Sequence, residues 1–117
     1  QKALRDHGLL PDWNLPEASR QCEWVENRQW AYETTLPDAW CGAGKRLRLR
    51  CDGLDYSGWV RLNGRLVGTF RGTHVPHVFD LAPHVAESGN RLQIVFDTPP
   101  RWLGQFGEAS QVREFKT

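Results

Sequence analysis

Methionine is absent from all 117 positions, including the first, and the expected origin of such a chain is a processed form or a piece of a longer polypeptide. No run of about 18 apolar residues occurs, so no segment reads as a membrane-spanning helix and no membrane partner is expected. The opening Gln1-Lys2-Ala3-Leu4-Arg5-Asp6 lacks the apolar stretch of a secretory signal, and no Asn-x-Ser/Thr acceptor occurs anywhere. Charge of one sign is missing too. Against 14 Asp and Glu stand 15 Lys and Arg, a net charge of +1 without a long block of either sign, which removes the electrostatic footprint of a nucleic-acid partner. Cysteine is scarce and odd in number: Cys22, Cys41 and Cys51 allow one bridge at most and have no metal-like spacing. A disulfide framework is therefore excluded, and three reduced thiols serving as small buried hydrophobes are expected.

What remains is a chain long enough for one domain, burying roughly two-thirds of the surface its unfolded form exposes. Residues 1–28 read as a leader in which Lys2 to Leu9 make one or two helical turns before Pro11. Residues 29–98 carry the core strands, and 99–117, from Pro99-Pro100 onward, form an irregular tail. From Gln29 the pattern has period two, with Trp30, Tyr32, Thr34 and Leu36 on one side. After Pro37-Asp38 and Gly42-Ala43-Gly44, Leu47, Leu49 and Cys51 alternate with Arg46, Arg48 and Arg50, a strand whose arginines face solvent or guard an edge. His77 to Leu81 reads as a short strand followed by one turn at Ala82-Pro83-His84-Val85, and Leu92, Ile94 and Phe96 alternate inward along Arg91 to Asp97.

The strongest local signal is Trp59-Val60-Arg61-Leu62-Asn63-Gly64-Arg65-Leu66-Val67-Gly68. A two-residue hairpin turn needs positive φ at both loop positions, which Asn and Gly tolerate best, so Asn63-Gly64 is expected to join two strands. An uninterrupted ladder from that turn pairs Leu62 with Arg65, Arg61 with Leu66, Val60 with Val67 and Trp59 with Gly68. It sets Val60 and Val67 on the core face. Trp59, Arg61, Leu66 and Phe70 then share the other face, too apolar to stand open and expected to be covered by the N-terminal segment, a neighbouring chain or another domain. Turn signals roughly every 8 to 12 residues, with no long helix between them, argue for an all-β antiparallel sandwich.

No constellation reads as a catalytic centre. Glycoside chemistry needs two facing carboxyl groups, about 5 to 5.5 Å apart for retention or about 6.5 to 9.5 Å for inversion. Asp52 and Asp55 flank a glycine, where Asp is favoured for its bonds to the local backbone. His74 and His77 are three apart, which on a strand puts them on opposite faces, and no further ligand completes a zinc set. No phosphate loop or nucleophile elbow is present, so no metal and no cofactor are expected. The chain has 6 Trp. Trp30 fits the core register, while Trp13, Trp24 and Trp40 are suited to pin loops. Trp102, between Arg101 and Leu103 in the aperiodic tail, is the one most free to stack on a sugar ring in a pocket.

The ordered segments "RQWAYETTL", "LRLRCDGLDYSGWVRLNGRLVG", "HVFDLAPHV" and "GNRLQIVF" resemble the N-terminal sugar-binding domain of glycoside hydrolase family 2, over most of the chain. Within that family the β-mannosidase branch is most similar. Ala3 to Asp12 resembles its leader before Glu23-Trp24-Val25, and Ser110-Gln111-Val112-Arg113 resembles the approach to its Trp-Asp-Trp segment. The resemblance implies a jelly-roll sandwich of the galactose-binding-like type, expected to be truncated at its C-terminal end, since the chain stops at Thr117 before any such segment. It further implies a non-catalytic domain that shapes the rim of an active site whose glutamates lie in a separate barrel. Arg113 is the rim residue carried over from the resemblance, and Trp102 joins it from its position, as the two substrate-binding candidates. The expected partners are carbohydrate, bound weakly or only in the parent enzyme, and the other domains of that parent. Two alternatives are an autonomous carbohydrate-binding module and a sandwich used only for protein contacts.

Overall fold

The computed structural model of the protein describes residues 2–12, 14–42 and 44–98. Among these, two short helices, α1 (Lys2–Asp6) and α2 (Pro16–Gln21), and a 3-10 segment at Glu23–Asn27 precede six strands: β1 (Trp30–Thr35), β2 (Arg48–Cys51), β3 (Ser57–Leu62), β4 (Arg65–Arg71), β5 (His77–Asp80) and β6 (Arg91–Phe96). The strands form two antiparallel sheets, one ordered β1-β6-β3-β4 and one pairing β2 with β5. The last strand thus inserts between the first and third. Val60, Leu62 and Phe70 of the larger sheet, with Leu92 of β6, cluster with Phe79 of β5 and with Leu81 just after it, and Leu36, Cys41 and Leu54 close the cluster. This is a β-sandwich with an apolar centre, held by apolar burial between its layers.

The β3–β4 hairpin turns where expected, with φ of 52° at Asn63 and 78° at Gly64. Its register departs from an uninterrupted ladder. Leu62 faces Arg65 and Arg61 faces Leu66, but the next pairs are Val60 with Gly68, Trp59 with Thr69 and Gly58 with Phe70, so Val67 is an extra residue in a bulge. Trp59 and Gly68 therefore lie on opposite faces, which overturns the expected pairing.

The physical reason lies in the other sheet. A Cβ on Gly68 would stand 2.9 Å from Phe79 Cδ1, so the bare glycine is the gap into which β5 inserts its ring. The bulge also carries Phe70 to the inner face, where it is 3% exposed and meets Phe96 edge-on at 5.4 Å. Burying that ring is worth about 2 kcal/mol, more than one disturbed rung of the ladder costs. Of the three residues expected to share an outer apolar face, Phe70 belongs to the core, Trp59 is half-buried and Leu66 is 57% exposed.

β1 also differs from expectation. Tyr32 sits on the inner face opposite Ile94, yet it is 68% exposed. The reason is the size of the smaller sheet: it has two strands, of which β5 lies against β4, and β1 is the far edge of the larger sheet. Trp30 is half-buried and outside the core cluster; its indole N–H donates to the Val25 carbonyl at 2.8 Å and its ring meets Trp24 at 5.9 Å, which fastens the 3-10 segment to β1. Arg48 and Arg50 point outward as expected, and Arg50 pairs with Asp52 at 2.7 Å. Cys22, Cys41 and Cys51 are free thiols, the first two buried and the third half-buried.

Candidate functional site

The turn residues that end the strands build one end of the sandwich. Pro37 opens a 3-10 turn at Asp38–Trp40, closed by Trp40 N–H to Pro37 O and Cys41 N–H to Asp38 O, both 2.9 Å. A second 3-10 turn, Ala82–His84, leads into the loop that ends at β6. Two bonds hold these segments together: Gly89 N–H donates to the Asp38 carboxylate at 3.0 Å, and Leu36 N–H donates to Asn90 O at 2.8 Å.

Asn90 is the hub of this end and is fully buried. Its Oδ1 accepts from Asn63 Nδ2 at 2.8 Å and from Ala86 N–H at 2.7 Å, while its Nδ2 donates to Ala86 O at 2.9 Å. Asn63 Nδ2 also donates to His84 O at 3.0 Å, and its Oδ1 accepts from Arg91 N–H at 2.9 Å. The residue that makes the hairpin turn thus also clamps the loop before β6. Both amides are satisfied, the condition under which a buried polar network rigidifies its surroundings.

Between the two clamped loops lies an open depression of about 440 Å³ lined by Trp40, Lys45, Leu47, Val85, Ala86 and Glu87, among others. Trp40 is 58% exposed, contrary to a loop-pinning role, because its 3-10 turn is held by Asp38 and the buried Cys41 and needs no indole to fix it. Lys45 Nζ donates to Ala39 O at 2.6 Å, and among the described residues Glu87 forms no ion pair or hydrogen bond. Sequence reasoning missed this grouping, since Trp40, Lys45 and Glu87 come from loops that only the fold brings together. The one local signal was a Trp set between Pro37 and the Gly42–Gly44 break.

The remaining candidates are dispersed. Asp52 is taken by Arg50, and Asp55 accepts from Thr73 Oγ1 at 3.1 Å, which ties its turn to the loop after β4. His77 lies half-buried between Phe70 and Phe79, at 6.0 and 6.2 Å. Among the described residues no three His, Cys, Asp or Glu side chains are grouped to hold a metal. On the outer sheet face Glu33 receives hydrogen bonds from Arg91 and Gln93, and these hold its carboxyl below the usual range. Burial pushes the Cys51 thiol up, with Asp52 adding to the effect. Trp102 and Arg113 lie outside the described residues.

An antiparallel sandwich whose end loops enclose a depression is the architecture of a galactose-binding-like domain. The chain belongs to the glycosyl hydrolase 2 galactose-binding domain-like family, whose sequence model matches residues 1–114. It is 32% identical over 95 residues to "Beta-mannosidase B" of Thermothelomyces thermophilus, covering 81% of this chain and 11% of that protein. It is 29% identical over 98 residues to "Beta-mannosidase B" of Aspergillus clavatus, covering 83% and 12%. The chain thus spans about a tenth of the length of these curated relatives. The crystal structure of a β-D-mannosidase from Dictyoglomus thermophilum shares the fold, with a TM-score of 0.72 over 87% of this chain and 13% of that one, at 24% identity. The resemblance to the β-mannosidase branch of family 2, and the galactose-binding-like fold it implied, hold.

Proposed function

We propose that this sandwich serves as the non-catalytic N-terminal domain of a longer β-mannosidase-like glycoside hydrolase, packing on the catalytic domain and narrowing the approach to a non-reducing sugar end. The observation that carries the reading is the match to Thermothelomyces β-mannosidase B, which takes in 81% of this chain but 11% of that enzyme. Such a domain supplies a wall and leaves the acid and nucleophile to another part of the polypeptide. The chemistry agrees. Hydrolysis needs two carboxyl groups held at a defined separation, whereas Asp52 is paired with Arg50 and Asp55 is bonded to Thr73 of the loop after β4. Trp102 and Arg113 are the proposed rim contacts, an indole to stack on the sugar and a guanidinium to bond its hydroxyls.

The test is kinetic and uses the full-length parent enzyme. With nitrophenyl β-mannoside, Trp102→Ala and Arg113→Ala are expected to raise KM with little change in kcat, since a rim contact contributes to substrate and transition state alike. Unchanged KM in both variants contradicts the rim assignment. Absence of β-mannosidase activity in the parent contradicts the family reading of its function.

A further inference from the structure

We propose that the depression at Trp40 is a carbohydrate contact in its own right, built from residues other than the proposed rim contacts Trp102 and Arg113, and that it takes a single neutral pyranose ring. Three observations carry the assignment. First, an indole on a rigid turn is left 58% exposed at the edge of a concavity, although nothing in the packing of that turn requires it there. Indole faces are apolar and flat, and the axial C–H face of a pyranose is their match. Second, the polar groups of the same concavity are one donor and one acceptor of opposite charge. Lys45 uses its ammonium on Ala39 O and keeps further N–H donors, while the Glu87 carboxylate has no partner among the described residues. The two charges cancel, which disfavours an anionic ligand such as a phosphate and equally a cationic one, and suits hydroxyls that both donate and accept.

Third, the site is preorganised. Trp40 and Lys45 flank one loop and Glu87 stands on another, and the Gly89-to-Asp38 bond ties the two together while Asn90 holds the second in place. A ligand therefore does not have to order the walls. About 440 Å³ of open space accommodates one ring and leaves the next residue of a glycan in solvent. Because the depression is open, affinity is weak: dissociation constants on the order of millimolar are expected.

The test is a titration of the 117-residue chain followed by ¹H–¹⁵N NMR, with methyl β-mannoside and methyl β-galactoside as monosaccharide probes and β-1,4-mannotetraose as a glycan probe. The expected result is a saturating shift of the Trp40 indole N–H and of the Glu87 amide, with Trp40→Phe retaining binding and Trp40→Ala weakening it roughly tenfold or more. Equal affinity for mannotetraose and the monosaccharides points to the chain end as the ligand, and tighter binding of mannotetraose points to an internal ring; either supports the site. No shift of these resonances with any probe at about fifty millimolar overturns it. So does binding that survives Trp40→Ala and Glu87→Gln, with a dispersed spectrum showing both variants folded. Neither result touches the hydrolase reading, which stands or falls on the kinetics of the parent.

Discussion

Replacing Asn90 by alanine removes the buried hub that joins the hairpin turn to the loop before β6. Three side-chain hydrogen bonds disappear: those from Asn63 Nδ2 and Ala86 N–H, and the one to Ala86 O. Each is worth about 1 kcal/mol net, and a buried partner left unpaired costs more. Some of the loss is recovered, because Ala86 lies on the exposed side of the loop and its backbone groups reach water, and Asn63 Nδ2 keeps the His84 carbonyl. The net expectation is about 3 kcal/mol of destabilisation, which for a domain of about 100 residues lowers Tm by roughly 12 to 24 °C. Asn90→Asp is the sharper variant. It keeps the shape and the acceptor but turns the Nδ2 donor into an oxygen that faces Ala86 O, in a position with no solvent contact. It should be at least as damaging at neutral pH and recover partly in acid, where a protonated carboxyl restores a donor. Urea and thermal unfolding of the three proteins measure this directly. A loss below about 1 kcal/mol for Asn90→Ala, or Asn90→Asp indistinguishable from the parent chain, would refute the account of the network.

Two other outcomes follow from close contacts and charge. Gly58→Ala should abolish or severely weaken folding, since the new Cβ would stand 1.9 Å from the Val95 carbonyl oxygen and 2.7 Å from Phe70 Cζ; a circular-dichroism melt close to that of the parent chain would contradict the β3–β6 register. Glu33 has a folded pKa below its ordinary 4.5, so its contribution is present above that value and is lost as pH falls through the folded pKa. The Tm gap between the parent chain and Glu33→Gln should therefore shrink as pH drops from 7 toward 3, and a constant gap would show that Arg91 and Gln93 contribute nothing through the charge.

Local chemistry made much of this fold legible in advance. Asn63-Gly64 turned because two adjacent residues tolerate positive φ, and β6 kept its alternation because Leu92, Ile94 and Phe96 face a single core. The bulge at Val67 was hidden. Both faces of that hairpin carry mixed residues, and the register is decided by Phe79, which arrives from another sheet and needs the space at Gly68. Tyr32 likewise looked inward by period, and its exposure depends on how many strands the opposite sheet has, a property that no window around Tyr32 contains. α2 carried a readable signal that was passed over: Pro16 at its first position, Glu17 in its first turn and Arg20 in its last. The depression at Trp40 was the least visible feature, because its residues are separated by more than forty positions and meet only through Asp38, Gly89 and Asn90.

The central claim, that this domain is a wall and not a catalyst, is tested most directly by incubating the purified chain with the nitrophenyl β-glycosides of mannose, galactose and glucuronic acid and measuring nitrophenol release. No release above buffer is predicted for any of the three substrates. Sustained turnover that disappears when a single carboxylate of the chain is replaced by its amide would contradict the account.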